Sequence, residues 1–255
     1  MYRKYVPFLL FLFFLYGCNG NKQEEKEDVS VFVDLPQLKA EGEITAVTLY
    51  SSTSYFQYKM QPMGYEYDLI NDFAKSQGLK LNIKVAENPA RLIEMLEAGE
   101  ADVVAYPIPI NNKLKQEVIY CGREDISSQV LIQRANKGDK LLTDVTQLID
   151  KNVYVKPNTK YSERLKNLDE ELGGGIHIQK VENDSIATED LIEMVSLGEI
   201  PYTISDDNTA RLNKTYYWNI NVDLKVSFPQ RSSWVVRKSS PDLAKAIDEW
   251  ASDKT

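Results

Sequence analysis

Apolar positions along the chain change period in a regular order. Ile44–Tyr50 is a short apolar run of the kind a buried strand shows, and Gly64–Gln77 then places Leu69, Ile70, Phe73 and Ala74 on one helical face, with Gly78 as the stop. Lys80–Ala86 alternates with period two. Asn88-Pro89 supplies an N-cap followed by proline at the first helical position, and Leu92, Ile93 and Leu96 form the apolar stripe of a helix ending at Gly99. Asp102–Tyr106 is the next strand. This βαβαβ order predicts a mainly parallel sheet with helices on its faces.

The pattern then repeats. Leu92-Ile93-Glu94-Met95 followed by Gly99-Glu100 recurs, at one constant offset, as Leu191-Ile192-Glu193-Met194 followed by Gly198-Glu199. Each copy runs into an apolar strand. Asn152–Val155, Tyr161–Leu172 and Ile176–Val181 supply a strand, helix and strand before the second copy. Two α/β lobes of related construction are expected. Gly173-Gly174-Gly175 lies between a helix and a strand, the wrong order for a dinucleotide-binding turn.

Ahead of this region, Arg3 and Lys4 precede an apolar stretch from Val6 to Tyr16 that ends in Leu15-Tyr16-Gly17-Cys18. The stretch is short of the roughly 20 residues a spanning helix needs and fits a secretory signal. Leu15-Tyr16-Gly17-Cys18 resembles a bacterial lipobox. That implies cleavage before Cys18, lipidation of its thiol and a mature chain anchored to a membrane. The polar, acidic run from Asn19 reads as a tether through residue 43, or as a surface-export signal.

Composition narrows the function. The 255 residues carry a net charge of −8, with 43% apolar residues, enough for a packed core. The acid excess and the absence of a basic stripe argue against nucleic acid. One histidine and two cysteines exclude most metal sites and most Ser-His or Cys-His machinery, so no metal and no cofactor are expected. Cys121 reads as a buried apolar residue and His177 as an ordinary sheet or surface residue.

Ligands of parallel sheets sit beyond the carboxyl ends of the strands. Those ends carry Tyr50-Ser51-Ser52, Tyr106-Pro107, Lys156-Pro157-Asn158-Thr159 and Ser205-Asp206-Asp207. Tyr50, Tyr55, Phe56 and Tyr58 cluster beside one of them, as core residues or as a ligand platform.

The segment Gly64-Tyr65-Glu66-Tyr67-Asp68-Leu69-Ile70-Asn71-Asp72-Phe73-Ala74 resembles the signature of type II periplasmic solute-binding proteins of the polar amino-acid family. The resemblance runs from about Ile44 to Trp250. It is nearest to the amino-terminal sensor domain of the membrane-bound lytic transglycosylase F family, on stretches 198–217 and 232–250. It implies a two-lobed α/β periplasmic-binding-protein-like type II fold, each lobe a mainly parallel sheet flanked by helices, with a hinge between. Lobe one is expected over 44–130 and 228–255, and lobe two over 131–227.

By the same resemblance Thr159, beside Asn158, starts the helix that holds a ligand carboxylate, or is simply a helix cap. Asp206 would pair with a ligand amine. Tyr55 and Phe56 would stack on the ligand, with Tyr50 and Tyr106 on the same wall. The family's arginine clamp is missing: Asn111-Asn112-Lys113-Leu114 puts Leu114 at that position, with Lys113 or Lys115 as substitutes lacking the planar fork. This weakens the case for a free amino acid and favours a peptide, muropeptide or sugar-linked ligand. No catalytic motif is recognisable. The expectation is a non-enzymatic, lipid-anchored binding protein of the cell envelope, periplasmic or surface-exposed, serving an ABC transporter or a transglycosylase domain. The alternative is the sensor portion of a lytic transglycosylase.

Overall fold

The computed structural model describes residues 33–183 and 186–253. The signal segment, Cys18 and the acidic run after it lie outside the described residues.

Helix α1 (Leu35–Glu41) opens the described chain, with a capping box in which Asp34 accepts from Leu35 N and Gln37 reaches back to Asp34 N. This corrects the tether expected through residue 43. Leu38 is buried in the core and Asp34 caps two helices, so the segment is packed structure from Val33 onward.

Strand β1 (Glu43–Leu49) follows, then a short hairpin of β2 (Phe56–Tyr58) and β3 (Gln61–Met63). Helix α2 (Tyr65–Ser76), β4 (Lys80–Ala86), α3 (Pro89–Glu97) and β5 (Val103–Pro109) complete the first βαβαβ unit. Asn88 caps α3 through its side chain, accepting from Arg91 N at 3.1 Å. Strand β6 (Val118–Ser127) stays with this sheet, and β7 (Gln129–Arg134) begins the next.

The second unit is β8 (Asn152–Val155), α4 (Lys160–Glu171), β9 (His177–Lys180), α5 (Thr188–Leu197) and β10 (Tyr202–Asp206). Helix α6 (Asp207–Lys214), β11 (Ile220–Asn221), β12 (Gln230–Arg237) and α7 (Pro241–Ser252) finish the chain.

The two sheets have one topology. The first runs β4-β1-β5-β12-β6, and the second, read from its other edge, runs β9-β8-β10-β7-β11. In each, three strands are parallel and the fourth is antiparallel to the third. The sequence repeat therefore marks equivalent helices: α3 leads into β5 and α5 into β10. The chain passes between sheets at Ser128, which pairs with Asp207 (Asp207 N to Ser128 O, 2.9 Å), and returns between Asn221 and Gln230. Sheet membership puts Gln129 and Val130 in the second sheet, just ahead of the boundary expected at residue 131.

Each sheet is covered on both faces. In β1, β5 and β12, Ile44, Ala46, Val103, Ala105, Trp234 and Val236 join the cluster under α1, α2 and α7. Their alternating neighbours Val47, Val104 and Val235 join the cluster under α3. The second sheet divides likewise between α4 on one side and α5 with α6 on the other. Cys121 is buried in the first cluster, and burial pushes its thiol up; His177 lies exposed in β9. Among the described residues no helix is long and apolar enough to cross a membrane.

Candidate functional site

The carboxyl ends of β1, β5, β8 and β10 open onto one cleft of about 1340 Å³, lined by residues of both sheets. Its local construction begins at Gly64. A Cβ there would lie 2.3 Å from Ser54 O, so only glycine lets the chain pass this close. That approach allows the loop to cap α2 with backbone: Tyr65 N donates to Thr53 O at 2.8 Å and Tyr67 N to Ser54 O at 3.1 Å. The helix, with Glu66 in its first turn, is thereby tied to the β1 loop that forms the cleft wall.

Of the residues singled out in the sequence, Tyr50, Tyr106, Asn158, Thr159 and Asp206 all line the cleft. Tyr106 sits between the acids: burial raises its phenol first, and the charges of Asp206, Glu189 and Glu66 raise it further. Asn158 adopts φ 56°, a left-handed conformation asparagine tolerates, and so turns the chain from β8 into α4. Thr159 is the cap of α4. Its hydroxyl donates to Lys156 O at 2.8 Å and accepts from Ser162 N at 3.3 Å, while its own N–H donates to Ser162 Oγ. Its hydroxyl is thus already engaged within the chain.

Tyr55 and Phe56 are not among the residues that line the cleft. Tyr55 packs edge-on to Tyr67, with ring centroids 5.8 Å apart, and Phe56 pairs with Met63 in the hairpin. Pairing across β2 and β3 holds Phe56, and bridges to Tyr50 and Ser51 hold Tyr55 just ahead of the hairpin. Leu114 lines the cleft from a short turn, and neither Lys113 nor Lys115 does. The cation that the first sheet does contribute is Arg123 of β6, whose Nη1 donates to Tyr65 Oη at 3.3 Å.

Asp206 is occupied. Its Oδ2 accepts from Lys160 Nζ at 2.5 Å and from Tyr161 Oη at 3.1 Å. Carboxylates outnumber cations among the lining residues, with Glu66, Glu87, Asp125, Glu163, Glu189 and Asp206 against Arg123, Lys156 and Lys160. Burial pushes the Glu66 carboxyl up to about 7, the Trp234 indole, donating to Glu66 Oε2 at 2.6 Å, opposes the rise, and Asp125 adds to it.

Among the described residues, two links cross the cleft. Ser52 donates to Glu189 Oε1 through its N–H at 3.1 Å and its hydroxyl at 2.8 Å, and Asn208 Nδ2 donates to Asp125 Oδ2 at 3.4 Å. Sequence reasoning missed Glu66, Arg123, Lys160, Glu189 and Trp234. Glu66 lay inside the quoted signature and Lys160 directly after the expected cap, so position alone could have drawn attention to both.

Residues 44–253 match the family described as bacterial extracellular solute-binding proteins, family 3. Membrane-bound lytic murein transglycosylase F of Desulfosudis oleivorans is 31% identical over 218 residues, covering 84% of this chain and 46% of the relative. The protein of the same name from Stutzerimonas stutzeri is 28% identical, covering 84% of this chain and 44% of the relative. The chain thus spans less than half the length of these curated relatives. Among solved structures, the arginine-bound form of truncated ArgBP from T. maritima superposes with a TM-score of 0.72 at 19% identity, covering 86% of this chain and all of that one. The ancestral amino acid-binding protein AncCDT-1 gives 0.71 at 20% identity, covering 86% of this chain and 92% of that one. The superpositions establish the two-lobed type II fold, and the match across nearly all the described residues establishes that the chain belongs to the bacterial extracellular solute-binding proteins, family 3.

Proposed function

We propose that this chain is a non-enzymatic, lipid-anchored binding protein that closes on a small solute held between its two sheets. The observation that carries the reading is the cleft itself. Strand ends of both sheets converge on it, with Tyr50 and Tyr106 on one wall and Asn158, Thr159 and Asp206 on the other. A ligand touching both walls favours the closed arrangement by its differential contacts. An amino acid, peptide or muropeptide fits an acid-rich cleft of this size with tyrosines on its wall. Leu114 offers no bidentate partner to a free carboxylate at its position, and the Arg123 guanidinium lies elsewhere on the wall, on Tyr65, which favours a peptide or a sugar-linked compound.

The relatives support a second reading, a sensor portion acting for a peptidoglycan lytic transglycosylase. Both readings share the cleft. They differ in whether the natural partner is a transporter or a transglycosylase domain.

A thermal-shift screen of amino acids, stem peptides and muropeptides tests the shared reading. A solute at about 100 times its dissociation constant stabilises the fold by roughly 2.7 kcal/mol. Asp206→Ala is expected to remove most of that shift. A solute that stabilises wild type and Asp206→Ala equally would mean that Asp206 does not contact it. For the anchor, Cys18→Ser in the full chain is expected to move the protein from the membrane fraction to the soluble one, and an unchanged distribution rules lipidation out.

A further inference from the structure

We infer that Lys160 is a specificity-determining residue of the cleft: its ammonium occupies the Asp206 carboxylate and excludes a free alkylammonium from that position. The inference deepens the solute-binding reading and rests on it for its biological meaning, although its test does not.

The geometry is specific. Lys160 is the first residue of α4, held at the cleft wall by the Thr159 cap, and Asp206 ends β10 beside it. The ammonium stands 2.5 Å from Asp206 Oδ2 and lies over the Tyr161 ring, 5.5 Å from its centroid. Tyr161 Oη donates to the same oxygen. The side chains of Lys160 and Asp206 keep only 19% and 14% of their accessible surface, so solvent screens this pair far less than a surface pair.

An incoming ammonium would have to break a short, partly desolvated ion pair and leave the displaced Lys160 charge in the cleft. The lysine is tethered, so its effective concentration at Asp206 is high, and any mobile amine competes at a disadvantage. If the lysine holds the carboxylate in nine molecules of ten or more, a competing amine binds at least about tenfold more weakly than to the vacated site. The position is left to groups without positive charge, such as the carbonyl of an acylated amine, which can accept a hydrogen bond from the pair.

The experiment uses n-butylammonium as the probe, with n-butanol as the uncharged control, titrated against the full-length wild type and Lys160→Met. Methionine keeps an unbranched apolar stem and drops the charge. The expected result is that Lys160→Met is less stable than wild type, regains stability with n-butylammonium and not with n-butanol, and binds the amine at least about tenfold more tightly than wild type. Adding Asp206→Asn to Lys160→Met should abolish the gain. Lys160→Gln, which keeps a polar end, gives the same comparison if the methionine variant does not fold. Equal response of wild type and the Lys160 variants, including no response in either, overturns the inference, as does a gain that survives Asp206→Asn. Failure here with a successful solute screen on wild type would remove the role of Lys160 alone. Success here with no solute found would remove the solute reading alone.

Discussion

Glu66 shows how one residue can connect the cleft to the stability of the fold. Its carboxyl is raised from an ordinary glutamate value to about 7, chiefly by burial, so the folded chain binds a proton that the unfolded chain releases. The sign follows: the stability it contributes is present at low pH and is lost as pH rises from about 4.5 to about 7. Glu66→Gln cannot ionise and can still accept from the Trp234 indole. Its melting temperature should gain on wild type as pH rises through that window, by an amount equivalent to no more than about 3 kcal/mol near pH 7.5. Paired melting curves from pH 4.5 to 7.5 check it, and a constant difference across the range would show that Glu66 is not the titrating group.

At this scale the sequence was only partly readable. Tyr106, Asn158, Thr159 and Asp206 were found because strand ends are predictable places, and all of them line the cleft. What those residues bond to was not readable. That Lys160 holds Asp206, or that an indole from β12 reaches Glu66 in α2, depends on side chains brought together by folding from distant parts of the chain.

Among the elements, α1 and α7 are joined by a single carboxylate. Asp34 caps its own helix through Leu35 N at 2.8 Å, and also accepts from Asp242 N at 3.0 Å and Leu243 N at 2.8 Å in the first turn of α7. Ser240, which precedes α7, makes no side-chain cap; its hydroxyl donates instead to Val33 O at 2.6 Å. Asp34 therefore does for α7 what a local cap would do. Asp34→Ala strands buried donors of two helices at once and should cost about 2–4 kcal/mol, against a smaller loss for Asp34→Asn, which keeps one acceptor. Urea denaturation of the three proteins checks the ranking, and a loss within about 0.5 kcal/mol, as for an ordinary surface change, would refute the double-cap role.

The same pair of helices explains why a tether was read through residue 43. Local pattern cannot distinguish a short polar helix from a linker when the partner it docks on lies at the far end of the chain. The βαβαβ units were legible because each strand and helix carries its own period. The β2–β3 hairpin was not, since its strands are three residues each and mostly exposed.

For the whole molecule, the links across the cleft matter most. Glu189, in the first turn of α5, accepts twice from Ser52 in the loop after β1, joining the first sheet's wall to the second's. Glu189→Ala removes both bonds and should favour a more open arrangement. The expected result is a larger radius of gyration by small-angle scattering and several-fold weaker binding of a cleft solute, with thermal stability little changed. Unchanged scattering and affinity would show that the bridge does not bias closure.

The central claim, that one solute is held between two walls, is tested most directly by hydrogen–deuterium exchange on the full chain with and without a solute that passes the thermal screen. Slowed exchange is predicted on both sides of the cleft, in the loop after β1 around residues 50–54 and at the start of α4 around residues 156–161. Protection confined to one wall, protection away from the cleft, or a screen in which no solute stabilises the protein would contradict it.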